Sequence, residues 1–399
     1  MKKKMLFFHH CGTIGGASIS GLCFLDSVPK DRYDITVYTV SDPDQVVQKY
    51  RHSGYRVVEG GSHPASFSHC VGGKMFALSP GAIRNYLSVK RSRKVVDKVI
   101  AEEKPDVVVV NSMTLFWVGK IAKAYGAETI CFFRETYIHG LFGVRTGMIK
   151  RHLSRYFDKI AFISNYELVR SKKVACDKRT IYNMVPQDNY DRYTKSQARE
   201  MLGLDKDSFF VLFVGGLSPL KGTRVLLKAF SRIHDSNIKL LFVGRTLQQI
   251  EEAAAARSFK QKIKHPFSGN YAKSCLKWIR KNQDQIVFFP SQSDISPFYC
   301  GADVLVFPMT QPHQARPLFE AGYAKIPVIV TDFENIQELV DADSGYLFEN
   351  KNDTQLADLI CKIKNKQTDI QQRVERNYQN TVARHAPVVY RKQIEELLD

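Results

Sequence analysis

Residues 211–227 read VLFVGGLSPLKGTRVLL, and residues 309–332 read MTQPHQARPLFEAGYAKIPVIVTD. Each stretch is a turn that opens a predicted helix beside a buried strand. The first offers Lys221 and glycines that let the backbone approach a ligand closely. The second offers one acid, Glu320, where an apolar helix is expected to begin. The two stretches together suit a ligand that carries both an anionic group and hydroxyl groups.

Around these stretches, apolar strand-like segments alternate with helical ones along the whole chain. This alternation predicts an α/β protein with two Rossmann-like doubly wound domains. Ligands of such sheets bind beyond the carboxyl ends of the strands, so two sheets facing each other would form a cleft. We expect a first domain at 1–185, a linker at 186–205, a second domain at 206–370, and a helical tail at 371–399 that packs back on the first domain.

The bulk composition describes an ordinary globular protein with an unusual charge. The apolar fraction is 44%, and no run of about 18 apolar residues predicts a membrane span. The apolar patch in MKKKMLFFHH ends at His9 and His10, too early for a secretory signal. The eight cysteines form no CxxC pair, which favours reduced thiols in a cytoplasmic protein over disulfides or a zinc site.

The formal net charge is +18. Nucleic acid, an anionic membrane surface and phosphate-bearing substrates are all partners that such a charge favours. The sequence shows none of the nucleic-acid module signatures. Two predicted helices, 82–102 and 144–157, interleave Lys and Arg with apolar residues. They predict peripheral attachment to the inner face of the cell membrane.

The first half contains a weaker candidate site. A strand at 5–9 is followed by CGTIGGAS, in which Gly15 and Gly16 precede a predicted helix. Strand, glycine turn and helix form a cradle for an anion, although the loop is not GxGxxG and a simple tight turn explains it equally well. Arg134 and Glu135 follow another buried strand. They bind acceptor or donor, or they form a structural ion pair.

Together these motifs resemble those of the family 4 glycosyltransferases of the two-domain GT-B fold. VGGLSPLKG is similar to the family's strand-turn-helix in which a lysine, here Lys221, contacts the donor diphosphate. PHQARPLFEAGYAKIPVIVTD resembles the Glu-x7-Glu region, and its second acid, Glu320, matches the residue that binds the ribose. The similarity covers roughly residues 209–364. It implies transfer of a sugar from a nucleoside-diphosphate sugar with retention of configuration.

Two departures from the family pattern concern the donor. Many members have an arginine where this chain has Gly216, so one positive contact is missing or supplied elsewhere. In this chain, Pro312 occupies the position of the first acid of the Glu-x7-Glu region. Because that acid normally contacts hydroxyls of the donor sugar, His313 or Gln314 is the expected substitute, and an inactive transferase is also compatible with the loss.

Transfer from such a donor releases a diphosphate, whose developing charge needs fixed cations and helix N-terminal amides. Lys221 with the amides of Gly222 and Thr223 is expected on one side, and Arg316 with the amides near Leu318 on the other. No metal site and no cofactor are predicted. The predicted catalytic residues are Lys221, Glu320, Arg134 and Glu135; the acceptor-binding ones are Arg134, Glu135 and His139; the donor-binding ones are Gly15, Gly16, Gly216, Lys221, Gly244, Arg245, His313, Arg316, Pro317, Leu318 and Glu320.

The resulting hypothesis is a retaining, metal-independent glycosyltransferase of bacterial surface polysaccharide synthesis, such as O-antigen or capsule, with a lipid-diphosphate-linked saccharide as acceptor. A nucleotide-sugar 2-epimerase shares the two-domain shape and would form product without acceptor. A basic polyanion-binding protein would instead show a steep salt dependence. Each predicted site residue also has a purely structural interpretation, such as a solvated loop lysine for Lys221 or a first-turn carboxylate for Glu320.

Overall fold

The computed structural model describes residues 1–71, 80–138, 141–255, 271–367 and 369–399. The chain forms two compact units, one of Met1–Met184 with Pro387–Asp399 and one of Val185–Ala386. Each unit contains one parallel sheet with helices. The α/β class predicted from the alternation, with a helical C-terminal segment, is confirmed.

The first unit is built on a seven-stranded sheet of order β3-β2-β1-β4-β5-β6-β7, in which every neighbouring pair is parallel. Two apolar layers cover its faces. The elements are β1 Lys3–His9, α1 Gly16–Ser27, β2 Tyr33–Thr39, α2 Gln45–His52, β3 Arg56–Glu59, α3 Pro80–Glu103, β4 Val107–Val110, α4 Val118–Ala124, β5 Glu128–Phe133, α5 Val144–Tyr156, β6 Lys159–Phe162, α6 Asn165–Arg170 and β7 Asp177–Thr180.

The second unit is built on a six-stranded sheet of order β10-β9-β8-β11-β12-β13, again parallel throughout. The elements are α7 Lys195–Met201, β8 Phe209–Val214, α8 Thr223–Phe230, β9 Ile238–Gly244, α9 Leu247–Ala255, α10 Tyr271–Lys281, β10 Ile286–Pro290, α11 Ser296–Gly301, β11 Val304–Phe307, α12 Arg316–Tyr323, β12 Val328–Thr331, α13 Glu334–Gln337, β13 Tyr346–Phe348, α14 Asp353–Lys364 and α15 Ile370–His385. A last helix, α16 Pro387–Leu398, returns to the first unit.

The most apolar strands lie in the interior of the sheets, as their composition predicts. All four valines of β4 are buried, as expected for a central strand covered on both faces. The helix α2 was not predicted, because its sequence QVVQKYRH buries only Val46, Val47 and Tyr50. Of the helices that the structure describes, none combines the length and the apolar character needed to span a bilayer.

Strand order reverses at one point in each sheet. In the first sheet, β1 and β4 are neighbours at this point, and in the second sheet, β8 and β11 are neighbours. The connections that leave such a pair run to opposite sides, which opens a crevice at the carboxyl ends of the two strands. The quoted stretches 211–227 and 309–332 lie at or directly after β8 and β11, so both reach the crevice of the second sheet.

Direct backbone contacts hold these two loops side by side. The Thr310 N–H donates to the Leu220 carbonyl (2.8 Å), and the Thr310 hydroxyl donates to the Pro219 carbonyl (2.8 Å). Gly222 has a left-handed backbone (φ 73°), and a Cβ atom at this position would lie 1.6 Å from the Pro308 carbonyl oxygen. Only glycine permits this approach, so Gly222 fixes where Lys221 sits.

We expect Gly222→Ala to lower the free energy of unfolding of the second unit by about 3 kcal/mol, through left-handed strain and overlap with Pro308. Gly203→Ala is the matched control, because Gly203 is also left-handed (φ 64°) but has no atom within 4 Å of its Cβ position. The control should lose only about 1 kcal/mol. Urea denaturation measures both. Equal losses would show that the approach to Pro308 imposes no constraint.

Candidate functional site

Lys221 lies in a cavity of about 300 Å³ at the crevice of the second sheet. Its side chain packs over Gly215, where a Cβ atom would lie 2.6 Å from the lysine Cδ. Burial lowers the pKa of Lys221, and the nearby charge of Glu320 opposes that shift. Within the described ranges, the ammonium forms no hydrogen bond and no ion pair. A half-buried cation without a protein partner favours an anionic ligand.

Two glycines shape the rest of this cavity. Gly216 and Gly244 both have positive φ (58° and 125°), and a Cβ atom on Gly244 would lie 2.7 Å from the Gly216 nitrogen. The ends of β8 and β9 therefore approach closely. Arg245 follows directly and lines the same cavity, with its Cγ 3.6 Å from the Cβ position of Gly216. Arg245 thus places a second cation beside Gly216, the position at which many family members have an arginine. The remaining lining residues are Val214, Leu217, Val243, Ser291, Gln292 and Ile295.

The backbone amides differ from the prediction. The N–H groups of Gly222 and Thr223 donate to the carbonyls of Pro219 (3.2 Å) and Ser218 (3.3 Å), and that of Leu318 donates to Ala315 (3.1 Å). These groups close local turns and are not available to a ligand, so the prediction that they bind the diphosphate is wrong. The N–H groups of Gln314 and Ala315, just before α12, donate no hydrogen bond to any described residue.

Glu320 is an internal anchor of the second unit. Its side chain is about 4% exposed, and it accepts hydrogen bonds from the Tyr299 hydroxyl (2.8 Å) and from Arg316 Nε (2.7 Å). Burial, together with the Glu320 charge, raises the pKa of Tyr299 well above its usual value. The carboxylate does not line the cavity of Lys221. Pro317, in the first turn of α12, restricts the backbone to a helical start.

His313 lies on the loop before α12. Its Nδ1 is 2.9 Å from the Gln311 carbonyl oxygen, and its ring is 5.7 Å from that of Phe307. Burial lowers the pKa of His313, and the Lys221 charge lowers it further against the effect of the Gln311 bond. Lys221 and His313 thus lie on neighbouring loops, which the hydrogen bonds of Thr310 join.

In the first unit, Arg134 and Glu135 have separate partners. Arg134 donates to the side-chain oxygens of Asn111 (2.7 Å) and Asn183 (2.6 Å). Glu135 accepts from the Ser112 hydroxyl and from the backbone N–H of Met113 (2.9 Å). Burial raises the pKa of Glu135, and these hydrogen bonds oppose the shift. The two side chains form no salt bridge, so the alternative of a structural ion pair is wrong.

Sequence reasoning selected neither His9 nor Asn111 as a site residue. The Asn111 amide donates to His9 Nδ1 (3.0 Å) and to the Ala17 carbonyl (2.9 Å). Burial and the neighbouring charge of Arg134 lower the pKa of both His9 and His10, that of His10 to about 4. The sequence did contain a signal for Asn111, because it is a polar residue directly after the all-valine strand β4. That strand ends where strand order reverses in the sheet.

Within the described part of the chain, potential metal-ligand atoms cluster at His9, His10 and Cys11, all within 4.8 Å of one another. Because Asn111 donates to His9 Nδ1, the proton of this imidazole is on Nε2, which points at Cys11 Sγ (3.2 Å). A metal on Nε2 would have to displace that proton beside the Arg134 charge. The cluster is therefore arranged as a hydrogen-bond network.

The glycine loop of the first unit leaves open space in front of α1. The Gly15 N–H donates to the Ser18 hydroxyl (2.9 Å), which closes the first turn. Apart from the adjacent backbone, no atom of a described residue lies within 4 Å of a Cβ position on Gly15 or Gly16, so a ligand is free to approach the backbone there. His139, predicted to bind the acceptor, lies outside the described residues.

Comparison with known proteins agrees with this geometry. Residues 194–381 match the family model described as glycosyl transferases group 1. HepE from Anabaena, solved with UDP and glucose, shares 19% identity over 99% of both chains, with a TM-score of 0.73. A glycosyltransferase from Rickettsia africae shares 18% over 100% of this chain and 99% of its own (TM-score 0.72). The lipopolysaccharide outer core galactosyltransferase WaaB shares 14% over 99% of both chains (TM-score 0.63). No curated protein matches the sequence.

The fold is therefore that of the GT-B proteins, with two Rossmann-like units and a helical C-terminal segment. The matched family model contains both loops of the Lys221 site. By the match of residues 194–381 to this family model, the protein is a glycosyltransferase.

We expect Tyr299→Phe to lower the free energy of unfolding by about 2 kcal/mol, because a buried carboxylate loses one of its two donors. Tyr323→Phe is the matched control, since the buried Tyr323 hydroxyl has no hydrogen-bond partner among the described residues. The control should stay within about 0.5 kcal/mol. Chemical denaturation measures both, and similar values for the two variants would contradict the anchoring role of Tyr299.

Proposed function

We propose that the protein transfers a sugar from a nucleoside-diphosphate sugar to a saccharide acceptor. The observation that carries this proposal is the unpaired Lys221 in the cavity where strand order reverses in the second sheet. The similar structure of HepE was solved with UDP, with UDP-glucose, and with UDP and glucose. A nucleoside diphosphate supplies the anion that the lysine lacks.

In this proposal, breaking the glycosidic bond leaves negative charge on the diphosphate. Lys221 and Arg245 neutralise it, and the amides of Gln314 and Ala315 donate to it. Because the charge is met by two cationic side chains and by backbone donors, the proposed mechanism uses no metal ion or cofactor. The departing phosphate accepts the proton of the acceptor hydroxyl on the same face of the sugar, which retains the configuration. The proposal includes the assignment of the protein to glycosyltransferase family 4.

The acceptor is proposed to be a lipid-diphosphate-linked saccharide at the crevice of the first sheet. Arg134 there is held by two neutral amide oxygens and forms no salt bridge with a described residue, so its charge is available to an anionic group. The similarity to WaaB, a lipopolysaccharide enzyme, supports a role in bacterial surface polysaccharide synthesis. Glu135 positions the Ser112–Met113 backbone beside this arginine.

A membrane-facing surface is proposed on α3 and α5. Both helices contribute to the same apolar layer of the first unit. Large apolar side chains on them are exposed, including Ile83 (61%), Tyr86 (57%) and Val144 (63%), and Phe142 stands fully exposed just before α5. Exposed cations flank these residues. Such a surface suits peripheral attachment to the anionic inner leaflet on the cytoplasmic side. The exposed cations are Arg84, Lys90, Arg91, Arg93, Lys94, Lys98, Arg151 and Arg155.

The donor site is tested by Lys221→Met, which keeps the length of the side chain but removes its charge. Excess UDP should stabilise the wild-type protein by about 2–3 kcal/mol, by mass action at roughly 100 times the dissociation constant. The variant should lose most of this gain. Lys228→Met, a charge removal on α8, the helix that follows the Lys221 turn, should retain it. Thermal unfolding with UDP, GDP and their sugars measures the effect, and undiminished stabilisation of Lys221→Met would refute the diphosphate contact.

The membrane surface is tested by replacing Arg84, Lys90 and Arg91 with Gln. Each cation near an anionic bilayer contributes about 1 kcal/mol, so binding to vesicles containing phosphatidylglycerol should weaken on the order of 100-fold. The charge-matched control replaces Lys277, Arg280 and Lys281 on α10. Co-sedimentation at low salt measures binding. Equal losses for both variants, or no binding by the wild type, would contradict the proposed surface.

A further inference from the structure

The helix α8, which follows the Lys221 turn, begins at a residue that has no side chain to cap it. The first N–H groups of a helix have no partner inside the helix, and a polar side chain at the N-cap position usually accepts from one of them. Here that position is Gly222, where the close approach of the Pro308 carbonyl leaves no room for a side chain. A side chain that caps α8 must therefore come from another part of the chain.

Tyr271, at the start of α10, supplies this acceptor. Its hydroxyl accepts a hydrogen bond from the Arg224 N–H (3.0 Å) and donates one to the Ser218 carbonyl (3.3 Å). Burial raises the pKa of Tyr271 to about 12, so the hydroxyl keeps its proton at neutral pH. Within the described ranges, it is the one acceptor of the Arg224 N–H. A single hydroxyl thus joins the residues on either side of Lys221.

The helix α10 gives Tyr271 a fixed position. Ile279 on this helix is fully buried in the apolar layer of the second unit. Asn282, directly after the helix, donates to the Leu227 carbonyl of α8 (3.3 Å), which ties the two helices together at a second point. The described residues that line the Lys221 cavity do not include Tyr271. Tyr271 therefore acts on that cavity through the turn that carries Lys221.

We propose that Tyr271 is a positioning residue, which holds the Lys221 turn in the conformation that binds the diphosphate. The inference rests on the proposed function, because it concerns the lysine assigned to that ligand. Without the hydroxyl, the Arg224 N–H loses its acceptor and the Ser218 carbonyl loses a donor, so the turn occupies the binding conformation less often. The apparent affinity falls by the same factor as the fraction of protein in that conformation. Tyr271 thus contributes to donor binding without touching the donor.

The test measures the affinity for UDP by isothermal titration calorimetry. Tyr271→Phe removes only the hydroxyl and should bind UDP about three- to tenfold more weakly than the wild type, the change that one hydrogen bond makes in such a fraction. The double variant Lys221→Met/Tyr271→Phe should bind UDP within about twofold of Lys221→Met alone, because a turn without its ammonium gains nothing from being held.

The matched control is Tyr378→Phe. It removes another hydroxyl of the second unit, which accepts a hydrogen bond from Gln187 (3.3 Å). This variant should bind UDP like the wild type. Urea denaturation of all variants separates a loss of affinity from a loss of stability, since a purely structural tyrosine lowers the unfolding midpoint and leaves the affinity of the folded protein unchanged.

The outcomes also separate this inference from the proposed function. Unchanged UDP affinity in Tyr271→Phe would overturn the inference alone, whatever the stability of the variant. An equal fold-loss from Tyr271→Phe with and without Lys221 would overturn it as well, because Tyr271 would then act independently of the lysine. Absence of UDP and GDP binding by the wild type would instead overturn the proposed donor site, and the inference with it.

Discussion

The close approach of Gly222 to the Pro308 carbonyl is the constraint on which the second unit's site depends. It holds two loops that are far apart in the sequence against one another at the carboxyl ends of β8 and β11. The hydrogen bonds from Thr310 to Leu220 and Pro219 follow from this approach. Without it, the loops that carry Lys221 and His313 would not be held side by side.

The site is preorganised electrostatically by how its charges are paired. Glu320 is buried with two donors, Tyr299 and Arg316, so its charge is balanced inside the protein. Lys221 is half-buried with no hydrogen-bond or ion-pair partner for its ammonium among the described residues, and burial lowers its pKa. An unpaired cation in a cavity destabilises the empty protein, and an anionic ligand relieves that cost. The same contrast occurs in the first unit, where Glu135 accepts from the Ser112 hydroxyl and the Met113 N–H, while Arg134 has neutral partners, including the amide oxygens of Asn111 and Asn183.

Several features could be predicted from the sequence because they depend on local pattern. The strands β4, β8 and β11 belong to the predicted alternation, since runs of apolar residues between turn signals have few alternatives. The helix α2 was missed because its three buried residues are surrounded by polar ones. The amides of Gly222 and Thr223 were expected to bind a ligand, but they are consumed by the turn whose existence the glycine signalled.

The sequence by itself determined the α/β alternation, the two glycine-containing loops and the identity of Lys221, because these follow from residue type and spacing along the chain. The tertiary structure alone decided which polar groups remain vacant. Arg245 standing beside Gly216 and Asn111 linking His9 to Arg134 both depend on atoms brought together from distant parts of a sheet. Whether a hydrogen bond forms depends on differences of a few tenths of an ångström in the donor–acceptor distance. No local sequence pattern encodes such differences.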